Sequence, residues 1–171
     1  MQEEKIFIDA DDGDEKSGNK EKKTIRVLVF GLGGESYCAD IRNIKSVVRI
    51  DSVTRVPNMP EFVIGVMNLR GEIISVLDIR SLFGLPQKKR TPRGRVIVTE
   101  AWGSQVGIIA DDVRQAIDVG ESSIQPPLAT ISGKLASYTK GEIQTKDEII
   151  IMLDLDRVLR SEEIGRIKKG E

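Results

Sequence analysis

The chain has 171 residues, of which 39% are hydrophobic and 31% are charged, so it is long enough to bury the core of one domain or of two small ones. Its 26 basic and 27 acidic residues nearly cancel, which disfavours a nucleic-acid-binding protein with a basic face. With no histidine and only one cysteine, the chain cannot form a cysteine–histidine metal cluster or an internal disulfide, and it lacks the most common general base.

The N-terminus, the apolar runs and the single cysteine together predict a cytoplasmic protein. No apolar run approaches the ~18 residues that a membrane-spanning helix needs. The first five residues lack the basic start of a secretory signal peptide. One cysteine fits a reducing compartment. Cys38 lies in a strand pattern, so we expect a buried core position, with a reactive thiol as the alternative.

Residues 1–23 form a charged N-terminal segment with eight acidic and five basic residues, a net charge of −3. Apart from residues 6–8 there is little apolar surface to bury, which predicts a disordered acidic tail. The acidic run of residues 9–14 resembles the start of a calcium-binding loop. It lacks the flanking helices and the glutamate at the twelfth loop position, so we expect a solvated tail.

A β-hairpin is predicted at the start of the folded region. Residues 25–32 and 36–39 form its two strands, and Gly33-Gly34 forms its turn. The glycines at positions 31, 33 and 34 could suggest a phosphate-binding loop. They lack the rest of that motif and a following helix, so a hairpin turn is favoured.

The next stretch predicts a third strand and then a loop. Residues 40–43 predict one helical turn, and residues 44–50 predict a strand. Residues 51–60 are expected to form a loop or an irregular edge, because Pro57 and Pro60 have no backbone N–H to donate to a sheet.

Residues 62–85 carry the strongest pattern in the chain. Two runs rich in valine and isoleucine, typical of half-buried strands, flank Asn68-Leu69-Arg70-Gly71. Asparagine and glycine tolerate positive φ, so this break predicts a tight turn that presents Arg70 to a partner. After the second run, Asp78 is predicted to cap a short helix that Gly84 ends.

The second half repeats this order after a linker. Residues 87–94 are basic and end in turn-forming residues, which favours a solvated linker over a phosphate contact. Residues 121–140 are expected to be irregular. The remaining segments predict strands at 95–101, 105–110, 113–119 and 148–153, followed by a short C-terminal helix capped by Asp154.

The two halves resemble each other in sequence. Residues 26–29 align with residues 95–98, and residues 73–83 align with residues 149–159. A short open sheet leaves unpaired edges, and closing it into a barrel removes them. We therefore predict a mainly β protein of two small barrels. Residues 24–86, with parts of the C-terminal segment, form the first barrel, and residues 95–153 form the second.

The central run identifies a family. Residues 65–71 (Gly-Val-Met-Asn-Leu-Arg-Gly), followed by Leu77-Asp78-Ile79-Arg80, closely resemble the CheW family of chemotaxis coupling proteins. The similarity extends from about residue 25 to about residue 159. It implies two five-stranded SH3-like barrels that share a hydrophobic core, within one domain covering residues 24–171.

The resemblance implies an adaptor with no enzymatic activity and no metal or other cofactor. Such proteins couple the helical hairpin tips of methyl-accepting chemoreceptors to the regulatory domain of a CheA-type histidine kinase. They work without nucleic acid and without inserting in a membrane. The chain is accordingly expected to be a monomer in isolation and part of a larger array in the cell.

The family places the receptor contact on two parts of the first half. Arg70, with Asn68 and Gly71 in the same turn, matches the receptor-facing turn of the family. Ile44 and Ser46 lie on the strand expected to face the receptor helix. Many members have glutamate at the position of Ser46 and can pair it with the arginine. Here Arg70 is therefore expected to be free for a receptor carboxylate or to have another partner.

The kinase contact is predicted at two other places. Phe62 and Gly65 mark the first barrel's contact, and Leu128 and Ile131 mark the second barrel's contact in ring closure. For each of these residues a plainer structural role is the alternative. Phe62 and Ile44 could belong to the core, and Gly65 could only permit close backbone packing. Arg70 could be a plain exposed turn residue.

Other function classes have weaker support. Asp111-Asp112 could be a catalytic carboxylate pair, but adjacent strand residues point to opposite faces, which favours a turn. An adaptor of the same fold in another kinase pathway stays open, because position 46 departs from the family. A nucleic-acid-binding SH3-like barrel rests only on the basic run of residues 88–90.

Overall fold

We describe the fold from a computed structural model, which covers residues 23–86, 89, 91–128, 131, 133–161 and 164. The predicted N-terminal tail lies outside these residues except for Lys23. Part of the predicted linker and the last seven residues also lie outside them.

The described residues are mainly β, as predicted, with three short α-helices. The strands are β1 Thr24–Leu32, β2 Glu35–Asp40, β3 Ile44–Arg49, β4 Val63–Leu69, β5 Glu72–Leu77, β6 Arg95–Ala101, β7 Ser104–Ala110, β8 Asp112–Gly120, β9 Ile124–Gln125, β10 Thr139–Gln144 and β11 Ile149–Leu153. The helices are α1 Arg80–Phe83, α2 Gly133–Ser137 and α3 Leu155–Leu159, and 3₁₀ turns cover Ile41–Asn43 and Glu121–Ser123.

The strands form two mixed sheets. The six-stranded sheet has the order β8-β1-β2-β11-β10-β9, and the five-stranded sheet has the order β3-β6-β7-β5-β4. Each sheet contains one parallel pair, β2 with β11 and β5 with β7, while its other pairs are antiparallel. In the six-stranded sheet, Arg114 on β8 contacts Glu148 beside β11, with an Nη1–Oε1 distance of 2.8 Å. These strands are separated by β1 and β2, so the contact indicates that the sheet curls. Closure of each sheet into a complete barrel stays a prediction.

The two halves exchange their hairpins, so neither sheet is built from residues 24–86 alone or from residues 95–153 alone. The β1–β2 hairpin pairs with β8 and β11 of the second half, and the β6–β7 hairpin pairs with β3 and β5 of the first half. Each sheet therefore combines a hairpin of one half with the later strands of the other. The exchange joins the halves through backbone hydrogen bonds as well as through side-chain packing.

Three of the hairpins have two-residue turns in which both residues take positive φ. These are Gly33-Gly34, Arg70-Gly71 and Trp102-Gly103, with φ between 51° and 89°. Such turns match the right-handed twist of the strands that they join. The predicted turns at positions 33–34 and 68–71 are thus confirmed.

Two strands, β9 and β10, were not predicted. Residues 121–140 were expected to be irregular, but β9, α2 and the start of β10 lie there. Strand β10 contains lysine, glycine, glutamate and glutamine, which are uncommon in strands. It forms because β11 pairs along its whole length and buries Glu142 and Ile143.

The core has three parts, which follow the alternation of side chains along the strands. Alternate residues of β1 point to opposite faces. Phe30 and Leu32 enter a cluster shared by both sheets, while Val27 and Val29 enter a smaller cluster belonging to the six-stranded sheet. A third cluster belongs to the five-stranded sheet. Cys38 is buried in the second cluster, as predicted.

The ends of the two halves are built alike. The backbone N–H of Asp78 donates to the Phe62 carbonyl at 2.7 Å, and that of Asp154 donates to the Tyr138 carbonyl at 2.8 Å. The Asp154 side chain caps α3 by accepting from the Arg157 N–H, as predicted. Helix α1 differs from the prediction, because Ile79 is its N-cap and the Asp78 carboxylate instead accepts from the backbone and guanidinium of Arg80.

Candidate functional site

The candidate site begins at the turn between β4 and β5. The N–H of Gly71 donates to the Asn68 side-chain oxygen at 2.8 Å, which holds the turn in place. Arg70 has a φ of 51° and is exposed. It makes no ion pair with any residue that the structure describes. A fixed backbone therefore presents an unpaired guanidinium, which suits a partner carboxylate.

An apolar side chain accompanies this cation. Ile73 lies opposite Asn68 in the β4–β5 pair and is 63% exposed, the highest value among the exposed large apolar side chains of the described residues. Cross-strand partners point to the same face of a sheet. Ile73 and Asn68 therefore share one face of the hairpin beside the Arg70 turn. Polar and apolar side chains together are a common composition for a protein interface.

Strand β3 supplies a second surface. Ile44 packs against the shared cluster, and Ser46 lies opposite Val98 of the five-stranded sheet's own cluster, so both side chains are only half exposed. Val47 is 38% exposed and lies opposite Ile97, which is buried in the shared cluster. The outward side of β3 beside the junction of the sheets is therefore formed by Val47 and its charged neighbours.

Phe62 and Gly65 occupy structural positions. Phe62 is 7% exposed and belongs to the shared cluster. At Gly65 an added Cβ would collide with the Thr54 carbonyl oxygen, and Thr54 pairs with Val66 through two backbone hydrogen bonds. The Phe62 side chain is thus unavailable for direct contact in this fold, and Gly65 permits a close backbone approach.

Leu128 and Ile131 lie together in one turn after β9. The Ile131 N–H donates to the Leu128 carbonyl at 3.0 Å, and the Leu128 N–H donates to Oε2 of Glu142 at 3.3 Å. Glu142 is buried on β10 and ties the turn to the sheet. Leu128 is exposed, whereas Ile131 is half-buried.

A buried ion network lies behind these surfaces. Arg80 is bidentate to Asp78, with both N–O distances 2.8 Å, and its Nη1 lies 2.7 Å from Oδ1 of Asp111. Asp111 also accepts the N–H of Gly33 at 2.7 Å. Hydrogen bonding to Asp78 is the main cause that raises the pKa of Arg80. The network connects helix α1, the β1–β2 turn and the β7–β8 junction.

The described residues offer little for catalysis or metal binding. Asp111 and Asp112 bind different arginines, Arg80 and Arg114, so they do not act as a pair. In the part of the chain that the structure covers, no group of three or more acidic or cysteine side chains is placed to hold a metal ion. In that part no helix is long and apolar enough to cross a membrane.

Several residues of these surfaces were not predicted from the sequence. Arg80 was assigned only to the family motif, although the spacing Asp78-x-Arg80 at a strand end could have suggested a local ion pair. Val47 and Ile73 are apolar residues in apolar runs, so the sequence did not distinguish them from core residues. Their exposure follows from the faces on which β3 and β5 place them.

The chain is similar over most of its length to known proteins. The family described as CheW-like domain matches residues 26–163. The chemotaxis protein CheW of Thermotoga maritima is 31% identical over 148 residues, 86% of this chain and 94% of that protein. The chemotaxis protein CheW of Klebsiella aerogenes is 31% identical over 140 residues, 82% of this chain and 84% of that protein.

A solved structure gives the same result. The crystal structure of the scaffolding protein TtCheW from Thermoanaerobacter tengcongensis matches with a TM-score of 0.73 and 33% identity, over 85% of this chain and 94% of that one. Apart from the first two residues of β1, the sheets and the Asn-Leu-Arg-Gly turn described above lie within the matched residues 26–163. The chain therefore belongs to the CheW-like domain family.

Proposed function

We propose that this protein, a chemotaxis coupling adaptor by its family, joins chemoreceptor tips to the regulatory domain of a CheA-type histidine kinase in the cytoplasm. It acts through binding surfaces and not through catalysis. The observation that carries the proposal is the exposed Arg70, which has no ion-pair partner among the described residues, on a turn held by Asn68. The chain around it matches the family over residues 26–163.

The receptor surface is proposed to consist of the Arg70 turn and strand β3. Arg70 would meet a receptor carboxylate, while Asn68 and Gly71 fix its backbone. Ile44 and Ser46 are half-exposed on β3, so they would contribute less contact area to this surface than fully exposed residues. Val47 and Ile73 supply the apolar area that a receptor helix needs.

The kinase surfaces are proposed at two separate places in the molecule. Phe62 and Gly65 would act indirectly, by shaping the five-stranded sheet from within. Leu128 is 41% exposed and offers a direct apolar contact on the other sheet, with Ile131 beside it. Contacts at these two places would let one adaptor join two kinase domains in an array. The free protein is proposed to be a monomer.

Separate surfaces predict separable defects. In equilibrium binding to an isolated receptor hairpin and to a kinase regulatory domain, Arg70→Ala is expected to weaken receptor binding about tenfold, equivalent to about 1.4 kcal/mol, and to leave kinase binding unchanged. Leu128→Lys is expected to show the reverse pattern.

The repeat provides a matched control. Lys146 lies in the β10–β11 turn, 76 residues after Arg70 in the aligned half, and is likewise exposed. Lys146→Ala should leave both affinities unchanged. If wild-type protein binds neither partner, or if Arg70→Ala and Lys146→Ala behave alike, the proposed assignment of surfaces is wrong.

A further inference from the structure

Two arginines face each other across the β3–β6 pair. Arg49 lies directly opposite Arg95 in the antiparallel register, so their side chains leave the same face of the sheet. Neither makes an ion pair with a residue that the structure describes. Like charges in this arrangement destabilise a sheet unless an anion lies nearby.

The positive charge continues into the adjoining turn. Nη1 of Arg95 donates to the carbonyls of Pro92 and Gly94 at 3.0 and 2.8 Å, and Arg93 between them is exposed. Residues 80–99 contain six basic residues and no acidic one. We call Arg49, Arg93 and Arg95 the basic patch.

The basic patch lies beside the outward side of β3. Side chains two residues apart on a strand share a face, so Val47 and Lys45 continue the line that begins with Arg49. All three are exposed. Lys45 is neutralised by Glu100 at 3.1 Å, whereas Arg49 has no such neighbour among the described residues.

The chain carries its own counter-charge. Residues 9–15 contain five acidic residues and no basic one, a density of negative charge that no other seven-residue stretch of the chain reaches. The acidic segment has no role in the proposed receptor or kinase contacts, and of the basic patch only Arg49 lies on the proposed receptor strand β3. Their charges are complementary, which favours association at low and moderate salt.

The acidic segment is long enough to reach the basic patch. The Lys23 carbonyl accepts the N–H of Glu121 at 2.9 Å, which fixes where the chain enters the domain. Residue 9 lies 14 residues before this point, so an extended chain reaches about 46 Å. Arg42 lies close enough to Glu121 for their charges to attract each other, and Arg49 follows Arg42 by seven residues, a distance of at most about 25 Å.

We propose that residues 9–15 dock on the basic patch of the same molecule and cover the outward side of β3. The contact is electrostatic, so its strength falls with salt. Docking itself does not depend on the proposed function. Its consequence does, because a docked acidic segment would compete with a receptor for the surface around Val47.

A spin label in the acidic segment tests this contact directly. Cys38 is fully buried, so Ala10→Cys provides one accessible thiol for a nitroxide on the full-length chain. In ¹⁵N-labelled protein at about 0.05 M NaCl, we expect signal loss at the amides of residues 47–49 and 93–96. The signals should return at about 0.5 M NaCl, where screening is much shorter-ranged.

Variants of the acidic segment provide the control for charge without altering the described fold. Asp9→Asn, Asp11→Asn, Asp12→Asn, Asp14→Asn and Glu15→Gln together should abolish the signal loss with the label still at position 10. On the other side, Arg49→Glu should weaken it, whereas Lys146→Glu in the distant β10–β11 turn should not. No receptor or kinase is present, so the result is independent of the proposed function.

Three results would overturn the proposal. Signal loss spread evenly over the domain would show that the segment has no preferred site. The same signal loss in a mixture of two samples, one ¹⁵N-labelled without a nitroxide and the other carrying the nitroxide without ¹⁵N, would show that the segment of a second copy binds the basic patch. If heparin or duplex DNA binds the basic patch, and the spin label causes no signal loss at the patch, then the patch is a site for an external polyanion.

Discussion

Arg80 and Asp111 connect the two sheets through one ion pair, with an Nη1–Oδ1 distance of 2.7 Å. Arg80 follows β5 of the five-stranded sheet, and Asp111 lies where the chain passes from that sheet to β8 of the other. Asp111 also holds the turn of the β1–β2 hairpin through Gly33. The exchanged hairpin is thus fixed by a charge network as well as by β pairing.

Removing the buried cation should cost far more stability than removing an exposed one. The Arg80 side chain is 6% exposed, and Arg80→Met would leave Asp78 and Asp111 without their partner. We expect the free energy of unfolding to fall by about 3–5 kcal/mol in urea denaturation.

The control is the exposed pair of Asp156 on α3 and Arg160 directly after that helix, at 3.2 Å. Arg160→Met should change stability by no more than about 1 kcal/mol. Equal losses in the two variants would mean that burial does not determine the contribution of these ion pairs.

Close backbone packing at two glycines, Gly65 and Gly141, which lie 76 residues apart in the aligned halves, gives a second prediction. A methyl group at Gly65 would collide with the Thr54 carbonyl oxygen, and one at Gly141 would lie 2.5 Å from the Gln125 carbonyl oxygen. Gly65→Ala and Gly141→Ala should each lower the free energy of unfolding by about 1–3 kcal/mol. Gly120, with φ −65° and no atom closer than 3.6 Å, is the control. Gly120→Ala should be neutral or stabilising by up to about 1 kcal/mol, and a loss as large as that at Gly65 would refute the packing argument.

The hydroxyl of Tyr37 is buried without a hydrogen-bond partner in the part of the chain that the structure describes. Tyr37→Phe keeps the ring, which stacks on Phe30 with centroids 6.4 Å apart, and removes this group. Thermal unfolding should show unchanged stability or a gain of up to about 1 kcal/mol. Tyr138→Phe serves as the half-buried comparison. A clear loss in Tyr37→Phe alone would reveal a hydrogen bond to that hydroxyl.

Stability should fall in alkaline solution because of Cys38. Burial raises the pKa of its thiol from an ordinary 9.0 to about 12. Above pH 9 the unfolded chain loses this proton while the folded chain keeps it, so the free energy of unfolding decreases as pH rises. The slope approaches at most about 1.4 kcal/mol per pH unit.

Urea denaturation from about pH 8 to about pH 9 measures the onset of this slope before Tyr37, whose pKa burial raises from 10.0 to about 12, contributes in the same direction. Cys38→Ala should be somewhat less stable at neutral pH, because a small void forms, but its stability should depend less on pH. A variant with the same slope as the wild type would exclude Cys38 as the cause.

Local features of the fold were predictable from the sequence because they depend on nearby residues. The Gly33-Gly34 and Arg70-Gly71 turns, the strands beside them and the cap at Asp154 were all predicted. Strand β10 was missed, because its burial comes from pairing with β11 and not from its own composition. The repeat itself was visible in the aligned Leu-Asp positions at 77–78 and 153–154.

The hairpin exchange could not be predicted in the same way. Both halves carry equivalent hairpins, so hydrophobic pattern alone does not distinguish pairing within a half from pairing between halves. The parallel contact of Ser75 with Val106 and that of Ser36 with Ile150 decide the arrangement, and each joins residues far apart in sequence. For the same reason the exposed Val47 and Ile73 could not be separated from core residues.

A receptor-dependent kinase assay most directly tests the central claim that this chain is a coupling adaptor with Arg70 in its receptor surface. It compares wild type, Arg70→Ala and Lys146→Ala, each checked for an intact fold by circular dichroism. We expect wild type and Lys146→Ala to couple receptor to kinase and Arg70→Ala to lose most of the coupling while it remains folded. Full coupling by Arg70→Ala would remove Arg70 from the interface, and no coupling by wild type would contradict the account as a whole.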